Sequence, residues 1–300
     1  MDVKGKIVII TGSASGLGKA FANKLLESGA LVCLSDVNEA NGIVTVQEFS
    51  NKFGKEKVTF VKCNVLNKDD IEALYSEAEK YFNHSVDIFC NNAGINHLRG
   101  WRLCMDINIM SVMECTEYAI DKMDTRKGGK GGLIVNTASM AGIVSGDIPE
   151  AACYYASKHG VVALTRSLGT NVFLKDSGVR VQCICPSFVD TNILADASKD
   201  QLTFIKNKYG IMTPEFVAEG FLKLVTECDN GTALCMIDKV PPVVYSDMSP
   251  IWIFLLSIGA IMFNKIFGTD LFLPKHQMIF MLSCFILAQL LLYFLISFIL

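Results

Sequence analysis

Seven short apolar runs recur along the first 238 residues, and several are apolar at every position rather than at alternate ones. They are KIVII (6–10), LVCLSD (31–36), VTFVKC (58–63), DIFCN (87–91), LIVNTA (133–138), VRVQCIC (179–185) and ALCMID (233–238). Continuous apolarity marks strands buried on both faces, the pattern of a parallel sheet with helices on each side. Helical stretches such as 18–28 and 71–81 lie between the runs. The pattern therefore predicts an α/β fold, a doubly wound, seven-stranded parallel sheet over residues 1–238. The Gly128-Gly129-Lys130-Gly131-Gly132 stretch reads as the turn into the fifth strand. Residues 190–212 form a long connection suited to a substrate lid, and residues 239–250, with Pro241, Pro242 and Pro250, read as a linker.

The turn after the first strand makes the sheet Rossmann-type. Thr11-Gly12-Ser13-Ala14-Ser15-Gly16-Leu17-Gly18 sits between a strand and a helix, the context that a dinucleotide-binding turn requires. Gly12 permits the tight turn, Gly16 lets the backbone approach a pyrophosphate, and Gly18 lets helix and strand pack closely. Asp36 closes the second strand, where a carboxylate accepts bonds from ribose hydroxyls and repels a 2′-phosphate. Val37 and Asn38 follow it, with no Arg or Lys, so NAD is expected over NADP. Asn64 and Val65 follow the third strand, within reach of an adenine edge, and Asn91-Asn92-Ala93-Gly94 ends the fourth.

A dinucleotide that accepts a hydride needs a base for the hydroxyl proton and a donor for the oxygen. Tyr154 and Lys158, in Tyr154-Tyr155-Ala156-Ser157-Lys158, share one helix face. An ammonium at that spacing favours phenolate. Tyr118 and Lys122 have the same interval, but they precede the fifth strand and its Ser139, whereas Tyr154 follows both. Ser139 lies just past that strand, placed to hold a reacting oxygen. Asn108 is a polar residue inside an apolar helix, and His159, beside Lys158, points away from it.

TGxxxGxG, NNAG, a Ser after the fifth strand and YxxxK, in this order, resemble the short-chain dehydrogenase/reductase superfamily over about residues 5–238. ACYYASKHGVVALTRS, SGVRVQCICPSFVDT and KYGIMTPEFVAEG are similar to its NAD-dependent 15-hydroxyprostaglandin dehydrogenases. The resemblance implies that Gly12, Ser13, Ser15, Gly16, Leu17 and Gly18 line the dinucleotide, with Asp36, Val37, Asn64 and Val65 at its adenosine end. Asn92, Val189, Asp190 and Thr191 are implied at its nicotinamide end. Tyr154 is implied as general base, Lys158 as the group that binds the nicotinamide ribose, Ser139 as the holder of the substrate oxygen, and Asn108 as the anchor of a proton-relay water. Oxidation of a secondary hydroxyl on a lipid-like substrate, or the reverse, follows, with a steroid, retinoid or isoprenoid alcohol as alternatives and a homodimer as the assembly; a non-catalytic, membrane-tethered NAD-binding protein is the other reading. The sequence departs from that pattern in Ser187 after Pro186, in Asn64 and in a longer Ser139–Tyr154 interval. Ala151 stands three residues before Tyr154, where the prostaglandin enzymes carry a substrate-contacting glutamine.

Composition narrows the remaining possibilities. A net charge of −3 without a basic stripe argues against nucleic acid as a partner. Eleven scattered cysteines with no CxxC read as single buried thiols rather than a metal site or disulfide framework. Cys183 and Cys185 are expected to point to opposite faces of their strand. Residues 278–300 carry 23 positions without a charge, a helix of roughly 34 Å, long enough to span a bilayer. Residues 251–263 are apolar but shorter, as an interfacial or re-entrant piece would be. A hairpin of two spans would carry Lys265, Lys275 and His276 across, against the positive-inside tendency. The expectation is one transmembrane helix, a cytosolic catalytic domain and the endoplasmic reticulum as the membrane.

Overall fold

The computed structural model describes residues 1–245, Asp147 and Asp196 excepted. Strands β1 (Ile7–Thr11), β2 (Leu31–Asp36), β3 (Val58–Lys62) and β4 (Ile88–Asn91) alternate with helices α1 (Gly16–Glu27), α2 (Glu39–Phe53) and α3 (Lys68–Phe82). After β4 come α4 (Trp101–Met105), a π-turn (Asp106–Met110), α5 (Ser111–Met123) and β5 (Gly132–Thr137). Then follow α6 (Ala152–Leu168), α7 (Asn171–Ser177), β6 (Val179–Pro186), α8 (Lys199–Tyr209), α9 (Pro214–Glu227), β7 (Ala233–Ile237) and β8 (Val240–Tyr245). The strand order is β3-β2-β1-β4-β5-β6-β7-β8. It reverses beside β1, and the crevice at such a switch point is where open α/β sheets bind ligands.

The sheet separates two apolar layers by simple alternation. Val8 and Ile10 of β1 pack with Phe21, Leu25, Phe49 and Phe221, while Ile7 and Ile9 pack with Ile71, Leu74, Tyr75 and Phe89 on the other side. Phe21 of α1 stacks on Phe221 of α9 with centroids 4.2 Å apart, a contact worth about 0.5–1.5 kcal/mol beyond its buried area. Both faces being covered accounts for the unbroken apolarity of the runs.

Three expectations are corrected. The sheet has eight strands rather than seven, because the first half of the expected linker turns back as β8, antiparallel to β7. Lys239, at φ +58°, makes the turn. The register shifts between Cys235 and Ile237, so Pro241 and Pro242 fall at a bulge on an edge strand, where missing amide donors cost little. Cys183 and Cys185 share a face, their sulfurs 3.9 Å apart, as residues two apart on a strand must. The transmembrane helix, and with it a membrane-anchored location at the endoplasmic reticulum, finds no counterpart among the described residues. No helix among the described residues is long and apolar enough to cross a membrane. The longest, α6, has 17 residues and carries Lys158 and Arg166, short of the roughly 20 apolar residues a span needs. The expectations for residues 251–263 and 278–300 fall outside the described residues.

Candidate active site

Between β1 and α1 the backbone does most of the shaping. Gly12 has φ +63°, and a methyl group there would meet the Ala93 Cα at 2.8 Å. Gly18 is more confined: a methyl group would lie 2.3 Å from the Gly12 carbonyl oxygen and 2.5 Å from Asn92 Nδ2. Gly16 has φ +53° and is less confined, with Thr191 Cγ2 3.4 Å from an added methyl position. Ser13 turns inward: its hydroxyl donates to the Ile10 carbonyl (2.9 Å) and accepts from the Ser35 amide (2.8 Å). It secures the turn to β2. Ser15 is the N-cap of α1 and makes no side-chain cap bond, which leaves the first amides of the helix available to an anion. Leu17 packs against the core beneath them.

At the end of β2, Asp36 is held by its own loop. Oδ1 accepts from the Asn38 amide (2.9 Å) and Oδ2 from the Ala14 amide (3.1 Å). Both oxygens keep lone pairs for hydroxyl donors. Val37 beside it is 64% exposed, an apolar surface at the cleft's outer end. Asn64 is exposed and its Oδ1 already accepts from the Leu66 amide (3.1 Å), whereas Val65 is buried.

The expected reacting groups converge from the end of β5 and from α6. Lys158 is buried and its Nζ donates to the Thr137 carbonyl at 2.8 Å, 5.8 Å from the Tyr154 ring centroid. Burial pushes the Lys158 ammonium down to about 8, with nearby cysteines acting in the opposite direction. Burial also pushes the Tyr154 phenol above its ordinary value, and a hydrogen bond with the Ser139 hydroxyl pulls it back. Desolvation thus raises the phenol where acidification by the ammonium was expected. Ser139 Oγ donates to the Pro186 carbonyl (3.3 Å) and accepts from the Ala141 amide (3.1 Å), fixing its place after β5. A methyl group at Gly94 would come 3.3 Å from Asn108 Oδ1 and 3.6 Å from Lys158 Nζ, so glycine keeps the cleft floor open.

Asn108 lies in the π-turn and is wholly buried. Its Oδ1 accepts from the Ile95 amide and its Nδ2 donates to the Ile95 carbonyl, both at 2.9 Å. Its side chain is thus spent on holding the loop after β4, and a widened turn of this kind commonly marks a functional site. Behind the cleft, Asn92 Nδ2 donates to the Thr11 and Gly12 carbonyls at 3.0 Å, and its Oδ1 accepts from Thr137 Oγ1. A buried chain from Thr116 through Asn91 and Asn136 to Thr165 ties α5, β4, β5 and α6 together.

The expected lid contains α8. Val189 bridges Met212, Thr191 Oγ1 donates to the Val189 carbonyl (3.4 Å), and Asn96 Nδ2 donates to the Ile193 carbonyl (3.1 Å). Phe188 and Tyr209 lie 5.4 Å apart at the lid's base. Ala151 is buried at the start of α6 and offers no polar group. The alternative pair, Tyr118 and Lys122, is on α5 against Tyr75, outside this constellation. His159 Nδ1 bonds the Tyr155 carbonyl (2.9 Å), a local helix contact. The π-turn and the Thr137 carbonyl had no side-chain signal in the sequence; Gly94, within NNAG, did.

The position of Lys158 predicts a pH effect. Its folded value of about 8 lies below its ordinary 10.5, so the unfolded chain binds more protons between those values and stability rises with pH there. At full effect this is about 3 kcal/mol. The melting temperature of the protein should rise relative to that of Lys158→Met between pH 8 and the onset of tyrosine ionisation near ~10. Parallel profiles would place the ammonium in a solvated setting instead.

The description "short chain dehydrogenase" belongs to the family model that matches residues 6–202. The 15-hydroxyprostaglandin dehydrogenase [NAD(+)] of Homo sapiens is 35% identical over 258 residues, covering 82% of this chain and 96% of that protein. That of Mus musculus is 34% identical over the same length. A 3beta-hydroxysteroid dehydrogenase 2 from Eggerthella lenta is 37% identical over 199 residues, covering 63% of this chain and 73% of that protein. Among solved structures, 3-ketoacyl-(acyl-carrier-protein) reductase from Brucella melitensis, complexed with NADH, superposes with a TM-score of 0.68 at 25% identity, over 79% of this chain and 98% of that one. With the family model spanning most of the sheet, and relatives matched across nearly their whole length, this chain belongs to the short-chain dehydrogenase family.

Proposed function

We propose that this chain oxidises a secondary hydroxyl on an apolar, lipid-like substrate with NAD, or reduces the corresponding ketone. It is an NAD-dependent alcohol dehydrogenase of the short-chain type, and NAD supplies the hydride acceptor when bound. The supporting observation is that Ser139, Tyr154 and Lys158 meet beside the glycine turn at the carboxyl edge of the sheet. The cradle suits the cofactor: Gly12, Gly16 and Gly94 leave room where side chains would intrude, and Asp36 holds two lone-pair-bearing oxygens toward ribose hydroxyls.

In this reading Ser139 orients the substrate oxygen and Tyr154 takes its proton. Lys158, held by the Thr137 carbonyl, supplies positive charge that stabilises the phenolate as it forms. Asn108 acts by holding the loop after β4. Asn92 holds the glycine turn, and Val189 and Thr191 border the nicotinamide end. Val65 closes the adenine side.

The apolar substrate is supported by exposed apolar side chains on segments adjoining Ser139 and Thr191. Val144, Ile148, Ile193 and Phe204 are all 41–57% exposed on the loop after β5 and on the lid. Ala151 adds no polar contact. Similarity to both hydroxyprostaglandin and hydroxysteroid enzymes makes an extended hydroxy acid the first reading and a steroid alcohol the second. A panel of hydroxy fatty acids, steroid alcohols and short soluble alcohols, followed at the absorbance of NADH, tests this. Activity confined to the short alcohols removes the lipid-like substrate, and equal rates with NADP remove the cofactor assignment.

A homodimer is part of the proposal. Trp101, Leu103, Met110 and Met113 are exposed along α4, the π-turn and α5, an apolar surface of the kind that partners cover. Light scattering at twice the mass of one chain supports it, and a monomeric mass at micromolar concentration removes it.

A further inference from the structure

The lid after β6 is firm at its base and thinly anchored beyond it. At the base, Val189 and Met212 are buried and bridged. The Asp190 amide donates to the Met212 carbonyl and the Met212 amide to the Phe188 carbonyl, both at 2.9 Å. Farther out, neither the short turn Asn192–Leu194 nor α8 contributes a buried residue. α8 is closed by a capping box between Ser198 and Gln201, bonds that hold the helix together without tying it to the sheet. A segment that buries so little apolar surface opens at low cost, so individual polar contacts matter to its position.

One such contact comes from the loop after β4. Asn96 Nδ2 donates to the Ile193 carbonyl at 3.1 Å. Its donor is built on a fixed base, because Asn108 bonds both the amide and the carbonyl of the preceding residue, Ile95, at 2.9 Å. Asn96 Oδ1 accepts from the Leu98 amide at 3.1 Å. The oxygen of the carboxamide is thus engaged within its own turn, and the nitrogen reaches across to the lid.

The two ends of this bond belong to segments at different parts of the candidate active site. Two residues before Asn96, a methyl group at Gly94 would come 3.6 Å from Lys158 Nζ. Two residues before Ile193, Thr191 Cγ2 lies 3.4 Å from an added methyl position at Gly16. The bond therefore ties the loop beside the lysine to the segment beside the glycine turn.

We propose that Asn96 is a positioning residue that latches the lid: its carboxamide holds the Ile193 carbonyl, keeps Thr191 beside Gly16, and releases before the dinucleotide leaves. The consequence for the dinucleotide rests on the dehydrogenase reading, whereas the latch itself does not.

Two substitutions in the full chain separate the latch from the local turn. Asn96→Asp keeps an oxygen for the Leu98 amide and removes the donor to Ile193, and Asn96→Ala removes both. In both variants the amides of residues 192–195 and 199–209 should exchange with solvent about two- to tenfold faster, the range of one neutral hydrogen bond, while exchange in β1 and β4 stays at the wild-type rate. NADH dissociation, followed by its fluorescence, should quicken by a similar factor. Lid exchange in Asn96→Asp that matches wild type assigns the residue to its own turn alone and overturns the latch, as does exchange that quickens equally in β1 and β4. Faster lid exchange with NADH leaving at the wild-type rate overturns the role toward the dinucleotide. Wild-type protein that binds no NADH would instead count against the dehydrogenase reading, and lid exchange would still decide the latch.

Discussion

Replacing Tyr154 by Phe should lower turnover by about 10²–10⁴-fold, the range of a lost general base, while NAD affinity and the melting temperature stay nearly unchanged. The ring itself remains, so α6 keeps its packing beside β5 and Lys158 keeps its bond to the Thr137 carbonyl. Among the described residues, the interaction lost is the hydrogen bond between the phenol and Ser139. Because burial raises the phenol, proton removal by wild-type Tyr154 should strengthen as pH rises, giving a rate that climbs until Lys158 gives up its charge at about 8. Tyr154→Phe should flatten that profile. A rate that falls without a change in profile would assign the proton to another group.

Gly18→Ala is expected to have the second largest effect, on binding and stability together. Its methyl group would sit 2.3 Å from a backbone oxygen of Gly12 and 2.5 Å from Asn92 Nδ2. Neither is the free end of a flexible chain, because Asn92 Nδ2 is itself bonded to the Thr11 and Gly12 carbonyls. α1 must move away from the turn, at a cost of about 1–3 kcal/mol or more, and the phosphate cradle opens. Gly16→Ala offers the contrast. It meets only Thr191 at 3.4 Å, though at φ +53°, so it carries roughly the 1–2 kcal/mol of a left-handed conformation. Thermal unfolding and NAD titration of the two variants should rank Gly18→Ala as the more damaged in both.

How far the sequence revealed this site depends on whether side chains or backbone do the work. The continuous apolarity of β1 and β2 and the glycine turn between β1 and α1 exposed the sheet and its switch point, because burial on both faces and close helix packing both constrain residue type. Tyr154 and Lys158 could be separated from Tyr118 and Lys122 only by their order relative to Ser139; spacing alone was silent. The eighth strand was hidden because two prolines argue against a strand, and only the bulge opposite Cys235 and Ile237 shows how they are accommodated. Ser13 looked like a phosphate contact from its place in the turn, yet its hydroxyl is consumed by the Ile10 carbonyl and the Ser35 amide. The Thr137 carbonyl that holds Lys158 is a backbone group that any residue would supply. The direction of the Tyr154 shift was likewise beyond a sequence pattern: spacing identified the neighbouring ammonium, but burial sets the direction.

The most direct test is a crystal structure of the complex with NAD. The account predicts the nicotinamide beside Tyr154 and Ser139, the ribose within hydrogen-bonding distance of Lys158 Nζ, and the pyrophosphate over the Gly12–Gly18 turn. A dinucleotide bound elsewhere, or a Tyr154 hydroxyl directed away from the nicotinamide, would contradict it.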